Sequence, residues 1–157
     1  MLISAVLGSA ALPACGQLAC PAVGSISTVT VHVTPQRAAD LATLTTEFCQ
    51  DGACRSVALS PAELTTAIPG YVPPPTPHTA PRALPRRQAD GSLDITIEIP
   101  INDHALDVTT NGSDSQGGPL GTSHLQLRPV TTYPYGRECG GPTAASATLD
   151  PGGLRAG

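Results

Sequence analysis

The sequence has no lysine and no tryptophan, and other aromatic residues are few: one Phe and three Tyr among 157 residues. All eight basic residues are therefore arginines, and they are scattered along the chain except for Arg82, Arg86 and Arg87. A protein that binds nucleic acid needs a basic face for the phosphates, and one that binds single strands also needs aromatic side chains for stacking. The net charge of −4 points the same way, so we expect no nucleic-acid partner.

Charge is also absent from the first part of the chain, since no Asp, Glu, Lys or Arg precedes Arg37. The apolar run from Met1 to Ala14 ends in Leu-Pro-Ala, and Cys15 follows at once. The run is too short to span a bilayer, which takes about 20 apolar residues. A short apolar segment that closes on a small residue and a cysteine is typical of an export signal with a lipid-attachment site. We therefore expect an export signal over residues 1–15, lipidation of Cys15, and a protein anchored at the outer face of the cytoplasmic membrane.

Two features of this segment depart from a typical signal: it has no Lys or Arg at its start, and Pro13 stands just before the small residue. A true start upstream of Met1 would account for the first departure. The alternatives are that residues 2–14 form a buried strand or helix of the domain, and that Cys15 is a free or paired thiol near a cleaved N-terminus.

The five cysteines support the export interpretation, because removing Cys15 leaves an even number. In an exported protein an even remainder indicates disulfides, here two among Cys20, Cys49, Cys54 and Cys139. The same count in a cytosolic protein would suggest a metal site. However, four residues separate Cys49 from Cys54 and no second closely spaced pair accompanies them, so we expect no zinc.

Proline and glycine are abundant, with 17 and 16 residues, which disfavours helices and favours turns. Two segments alternate strictly, and their apolar positions are Val29, Val31 and Val33 in the first and Leu93, Ile95, Ile97 and Ile99 in the second. About seven short strands are expected, over residues 26–34, 44–49, 54–59, 93–101, 105–110, 123–128 and 144–149. These patterns predict an all-β fold, an antiparallel β-sandwich that forms a single domain over residues 16–157. We expect the two alternating rows to face each other across the two sheets.

The connections between the strands suggest a disulfide pairing. Asp51-Gly52 predicts a hairpin turn, and Cys49 and Cys54 flank it closely enough for a disulfide across the hairpin. Four cysteines allow three pairings, and this one leaves Cys20 and Cys139, each just before a strand, for the second bridge.

Two further connections between strands are distinguished by their residues, one by helix-capping residue types and the other by a high proline content. Ser60, Pro61 and Glu63 are the residue types of a helix N-terminus, so a short helical turn is expected there. Residues 69–85 contain seven prolines and therefore cannot form a central strand. We expect an extended surface connection between the halves of the sandwich. A partner-docking segment is the alternative, because Pro-rich segments bind aromatic grooves.

Three short segments, spread over most of the mature chain, resemble parts of small exported or lipid-anchored actinobacterial proteins of uncharacterised function. Ala19 to Ile26 looks like their Cys-Pro-Ala-Ile-Gly start, and Phe48 to Cys54 is similar to their central Cys-Asp-Gly-Cys hairpin. Tyr135 to Pro142 resembles the end of their C-terminal Pro-Asn-Gly-Pro-x-Cys-Gly-Pro segment, with Tyr135 where these proteins usually have Asn. The resemblance implies an immunoglobulin-like sandwich at the cell surface, and it carries no activity or catalytic residue.

Histidines are the candidate metal ligands. His32, His104 and His124 lie in expected strands or at their ends, so they could meet in space, with Asp103 or Asp107 beside them. A copper or zinc site would require the three to converge. We expect instead three separate histidines on polar strand faces, and no metal.

Other chemistry has weak support in the sequence. Asp107, Asn111, Ser113 and Asp114 offer oxygen atoms to calcium, but their spacing is not that of an EF-hand loop, so a polar turn is expected. No Gly-x-Ser-x-Gly elbow is present, and paired cysteines leave no reactive thiol. With no nucleophile or general base to name, we expect no enzyme and no bound cofactor.

The combined expectation is an exported or surface-anchored β-sandwich module with a binding or structural accessory role, whose ligand or surface partner the sequence does not identify. The first alternative is a metal-binding or enzymatic secreted domain that uses His32, His104 and His124. The second is a subunit of a surface assembly, which would carry a large contiguous apolar patch on one sheet.

Overall fold

The structure is a computed structural model that describes residues 20–21, 25–65 and 80–157. The expected export signal over residues 1–15, with Cys15, lies outside these ranges, and so do residues 69–79 of the expected Pro-rich connection.

The described chain consists of ten strands, two short helices and a 3₁₀ turn at Arg137–Cys139. Six strands form sheet A: β1 (Thr28–Val33), β4 (Arg82–Arg87), β5 (Leu93–Glu98), β8 (Val130–Thr131), β9 (Thr143–Asp150) and β10 (Gly153–Ala156). Four strands form sheet B: β2 (Thr43–Gln50), β3 (Ala53–Leu59), β6 (Leu106–Ser113) and β7 (Pro119–Leu127). Helix α1 (Pro35–Asp40) connects β1 to β2, and α2 (Pro61–Thr65) follows β3.

The strand order is β10-β9-β1-β5-β4 in sheet A, with β8 also paired to β9, and β3-β2-β6-β7 in sheet B. β1 and β9 run parallel, with Thr28 beside Ala144 and Val33 beside Leu149, whereas the other described pairs are antiparallel. The fold is therefore mixed, and the expectation of a wholly antiparallel sandwich is wrong on this point. Alternation along a strand indicates which face is buried, and it does not indicate the direction of the neighbouring strand.

Both alternating rows of the sequence are buried, but they lie side by side. β1 pairs with β5 within sheet A, with Val31 beside Ile95, so the expectation that the rows face each other across two sheets is wrong. Both rows belong to one core cluster, to which sheet B contributes mainly Leu44, Phe48, Leu106, Val108 and Leu127. Burial of a side chain of this size stabilises the fold by about 1.5–3 kcal/mol, so this shared core is the main source of stability.

Three strands, β4, β8 and β10, exceed the seven expected. β4 includes the last residues of the segment expected to be a Pro-rich connection, and it lies at the edge of sheet A. An edge strand tolerates Pro85, which has no N–H to donate, because one side of the strand needs no partner. β10 forms because the turn after Asp150 returns the chain along β9, with Gly153 at a φ of 117° that favours glycine.

The helices are short, and only α2 is expected from the sequence. Ser60 and Glu63 form a capping box at its start: Ser60 N and Oγ donate to Glu63 Oε2 at 2.8 and 2.6 Å. These hydrogen bonds, the one from the Ser60 hydroxyl first, lower the pKa of Glu63. α1 is not expected from the sequence, because the first expected strand ends at Thr34 and no helix is expected directly after it.

One end of the sandwich carries all four described cysteines. In sheet A, β1 and β9 begin at this end and β5 ends there. From β5 the chain crosses to β6 of sheet B, whose start lies beside the end of β2. We call this the cysteine end, and it comprises residues 20–21, 25–27, 49–54, 99–105 and 128–142. The opposite end carries α1 and the turns at residues 88–92, 114–118 and 151–152.

Candidate functional site

Two disulfides lie at the cysteine end. Cys20 is bonded to Cys139, 119 positions along the chain, and Cys49 is bonded to Cys54, 5 positions along. These are the two pairs expected from the sequence. The first bond ties the start of the described chain to the segment before β9, and the second joins paired residues of β2 and β3.

Residues 132–142, here called the tyrosine loop, connect β8 to β9 and contain Cys139. The loop is closed at its base, where Thr132 N donates a hydrogen bond to Pro142 O at 3.0 Å. A Cβ at Gly141 would lie 1.7 Å from the Thr132 carbonyl oxygen, so this close approach of two backbone segments requires glycine. The loop is thus held at its base by backbone contacts and near its end by a disulfide.

The large hydrophobic side chains exposed in the described parts of the chain all lie at the cysteine end. Ile26 is 49% exposed, Val130 64%, Tyr133 40% and Tyr135 58%. The guanidinium of Arg137 lies 5.4 Å from the centroid of the Tyr133 ring, which is a cation–π contact. Isolated exposed apolar residues are ordinary on a protein surface, but their concentration at one end distinguishes this end from the rest.

A polar network at the same end joins the β2–β3 turn to the loop before β6. Gln50 Nε2 donates hydrogen bonds to the carbonyl oxygens of Asn102 and His104, at 3.2 and 2.9 Å. Asn102 Nδ2 donates to Asp51 Oδ2 at 2.8 Å, and His104 Nδ1 lies 2.8 Å from Asp51 Oδ1. Both carboxylate oxygens of Asp51 are therefore occupied, and the network connects sheet B to the chain leaving sheet A.

These contacts shift two pKa values. The hydrogen bond from Asn102, followed by that from His104, lowers the pKa of Asp51. The hydrogen bond to Asp51, followed by its charge, raises the pKa of His104. Both side chains are exposed, whereas perturbed catalytic groups normally lie in a cleft, so this pair is best described as a surface contact that joins two loops.

The three histidines singled out in the sequence each face a different aspartate. His32 Nδ1 lies 2.7 Å from Asp94 Oδ1, and His124 Nε2 lies 3.6 Å from Asp107 Oδ1. His32 is on the outer face of sheet A, and His124 is on the outer face of sheet B, so the core separates them. The structure therefore does not bring His32, His104 and His124 to a common point.

Among the described residues, one group of potential metal ligands comes together: Glu47, Cys49 and Cys54, whose ligand atoms lie within 4.8 Å of one another. Because the two sulfur atoms are bonded to each other, neither is a free thiolate, and only the Glu47 carboxylate is left to bind a cation.

The oxygen-rich segment considered for calcium has protein partners instead. Asp114 Oδ1 accepts hydrogen bonds from the backbone of Gln116 and Gly118, at 2.9 and 2.7 Å, and so shapes the turn between β6 and β7. Ser113 Oγ lies 2.6 Å from Thr43 Oγ1, and Asn111 Oδ1 accepts a hydrogen bond from Thr122. Only Asp114 lies in the expected polar turn, because Asp107, Asn111 and Ser113 belong to β6, which continues through Ser113.

An open groove of about 610 Å³ lies beside the cysteine end, where sheet A comes close to the end of β7. Small side chains from β1 and β9 form its floor, Val130 forms part of its wall, and Arg128 is its charged lining residue. Polar residues such as Thr30, Gln126 and Ser146 also line the groove, and because it is open to solvent it resembles a contact surface more than an enclosed ligand pocket.

Neither helix in the described ranges has the length and hydrophobicity needed to cross a bilayer. No protein-family model, curated protein or solved structure matches the chain. The class of protein therefore follows from the structure alone. It is a two-sheet β protein with two disulfides, which suit an oxidising, extracellular environment.

Proposed function

We propose that the protein is an exported module of immunoglobulin-like sandwich type, anchored by a lipid at Cys15, that serves a binding or structural accessory role at the cell surface. Two packed sheets and two disulfides support the sandwich and its extracellular location. The uncharged apolar segment before Cys15 supports export and anchoring.

The observation that carries the proposal is the Cys20–Cys139 disulfide. Cys20 follows Cys15 by five positions, and it is bonded to the tyrosine loop. An extended chain covers at most about 3.6 Å per residue, so a lipid at Cys15 holds the cysteine end within about 18 Å of the bilayer. The bond therefore keeps the connection between the anchor and the domain short, so that the module stays close to the membrane surface.

An accessory role agrees with the polar contacts. In the described part of the chain, His32, His104 and His124 each pair with a separate carboxylate, and the two disulfides use all four described cysteines. The alternative of a metal-binding or enzymatic domain requires the histidines to converge, and no observation favours it.

The test is the N-terminal peptide of the native protein. Mass spectrometry should show a lipid-modified N-terminal cysteine at position 15, and the protein should sediment with membranes. The variant Cys15→Ser should lose both properties, whereas Cys54→Ser, which leaves the anchor untouched, should keep them. A mature N-terminus downstream of Cys15 without lipid would refute the anchoring.

A further inference from the structure

We propose that the cysteine end is a membrane-contact surface, where Tyr133 and Tyr135 lie in the headgroup region of the bilayer that anchors the chain. This inference rests on the proposed function, because it takes the lipid at Cys15 as given. Beyond the proposed function, it specifies which surface of the module contacts the membrane and which surface stays accessible to partners.

The position of the exposed residues is the first argument. Ile26 precedes the start of β1, Val130 pairs with Ala144 at the start of β9, and the two tyrosines lie in the loop between. Because β1 and β9 are parallel, their starts lie together, at the end where Cys20 is bonded to Cys139. Residues 15–19, which join the lipid-bearing cysteine to Cys20, therefore attach where the described chain is most apolar on its surface.

The chemistry of the side chains is the second argument. Tyrosine has an apolar ring and a polar hydroxyl, and it is enriched where hydrocarbon meets water in membranes. Arg137, stacked over the Tyr133 ring, has a flexible stem that lets its charge reach the phosphate layer. Val130 and Ile26 add exposed apolar area at the same end of the molecule.

The surface is too small to bind a bilayer without an anchor. The chain carries a net charge of −4, so anionic lipids do not attract it as a whole. A lipid anchor removes this difficulty, because it keeps the surface within about 18 Å of the membrane and raises its effective concentration there. The closed base of the tyrosine loop reduces the entropy lost on contact, since the rings are already displayed.

The orientation has a consequence for partners. If the cysteine end lies against the bilayer, the opposite end, with α1 and the turns at residues 88–92 and 114–118, points away from it. β7 spans nine residues between the two ends, which corresponds to about 30 Å. A partner in solution therefore meets the turns of the opposite end first.

Tryptophan quenching measures the orientation directly, because the chain has no Trp of its own. The lipidated full-length variants Tyr135→Trp and Gln116→Trp are each reconstituted in phosphatidylcholine vesicles with and without brominated phosphatidylcholine. Gln116 is the matched control, since it is exposed in the β6–β7 turn of the opposite end. Tyr135→Trp should lose most of its emission to the brominated lipid, and Gln116→Trp should keep its emission.

Sedimentation and quenching separate the two levels of the proposal. A protein that sediments with vesicles while Tyr135→Trp is not quenched overturns the contact surface and leaves the anchor intact. A protein that does not sediment overturns the anchor, and with it this inference. Emission of Tyr135→Trp that shifts to shorter wavelength with protein concentration, without vesicles, would mean that a second copy covers the surface, and it would also overturn the proposal.

Discussion

At the scale of the residue, Asp51 and His104 join two loops through charge and hydrogen bonds that depend on pH. The pKa of Asp51 is lowered, so its contribution to stability is present above the unfolded-state value of about 4 and is lost as pH falls through the folded value. The pKa of His104 is raised, so its contribution is present below about 6.5 and is lost as pH rises through the folded value. The contact is therefore strongest between about pH 4 and pH 6.5.

The variant Asp51→Asn tests this contact. It removes the negative charge that favours the imidazolium, so the pKa of His104 should fall toward its ordinary value. An NMR titration of the imidazole C–H signals measures the change, and Asp40→Asn, an exposed carboxyl at the end of α1, is the control. An unchanged His104 titration in Asp51→Asn would contradict the assigned contact.

Phe48 is the only phenylalanine, and it is 2% exposed in the core between the sheets. Phe48→Ala removes a large buried ring and leaves a cavity, so the free energy of unfolding should drop by about 3–5 kcal/mol. Urea denaturation followed by circular dichroism measures the loss. Tyr135→Ala, an exposed aromatic residue, should cost far less, and equal losses in the two variants would be inconsistent with the described core.

At the scale of the element, α2 depends on Ser60, the capping residue just before its start. A helix of five residues has little stability of its own, and Ser60 and Glu63 satisfy its first backbone donors reciprocally. Ser60→Ala should therefore cost about 1 kcal/mol and lower the melting temperature by about 3 °C. Ser115→Ala, in an exposed turn, is the matched control, and a melting temperature that falls equally in both variants would show that the cap does not stabilise α2.

The strands show how far local sequence goes. Alternation predicted the buried faces of β1 and β5 from the residues alone, because side chains on a strand point alternately to opposite faces. The same alternation does not indicate which strands are neighbours. The two strands were expected in different sheets, but they lie side by side in sheet A. β4 is not expected from the sequence, because Pro85 rules out a central strand and its segment was assigned to a connection. Proline is tolerated in an edge strand, and only the pairing of β4 with β5 shows that the segment is one.

At the scale of the whole molecule, the two disulfides differ in the length of chain that they close. On chain-entropy grounds, the long bridge between Cys20 and Cys139 should contribute about 5 kcal/mol and the short bridge between Cys49 and Cys54 about 2 kcal/mol. The double variant Cys20→Ser/Cys139→Ser should therefore lower the melting temperature more than Cys49→Ser/Cys54→Ser. Calorimetry decides between them, and non-reducing peptide mapping of the native chain checks the pairing: a Cys20–Cys49 or Cys54–Cys139 peptide would contradict it.

By itself, the sequence determined the β class, the buried rows, the hairpin at Asp51-Gly52, the cap of α2 and the expected pairing of the cysteines. These features depend on side-chain alternation, turn chemistry and cysteine spacing. Each of these can be read from a short segment of the sequence or from the number and positions of the cysteines. Only the tertiary structure decided that β1 lies beside β5 and parallel to β9, that the three histidines face separate aspartates, and that the exposed tyrosines share one end with the Cys20–Cys139 disulfide. Those features join residues far apart in the chain, such as His32 and Asp94 at a separation of 62, and their cause is the packing of both sheets on one core.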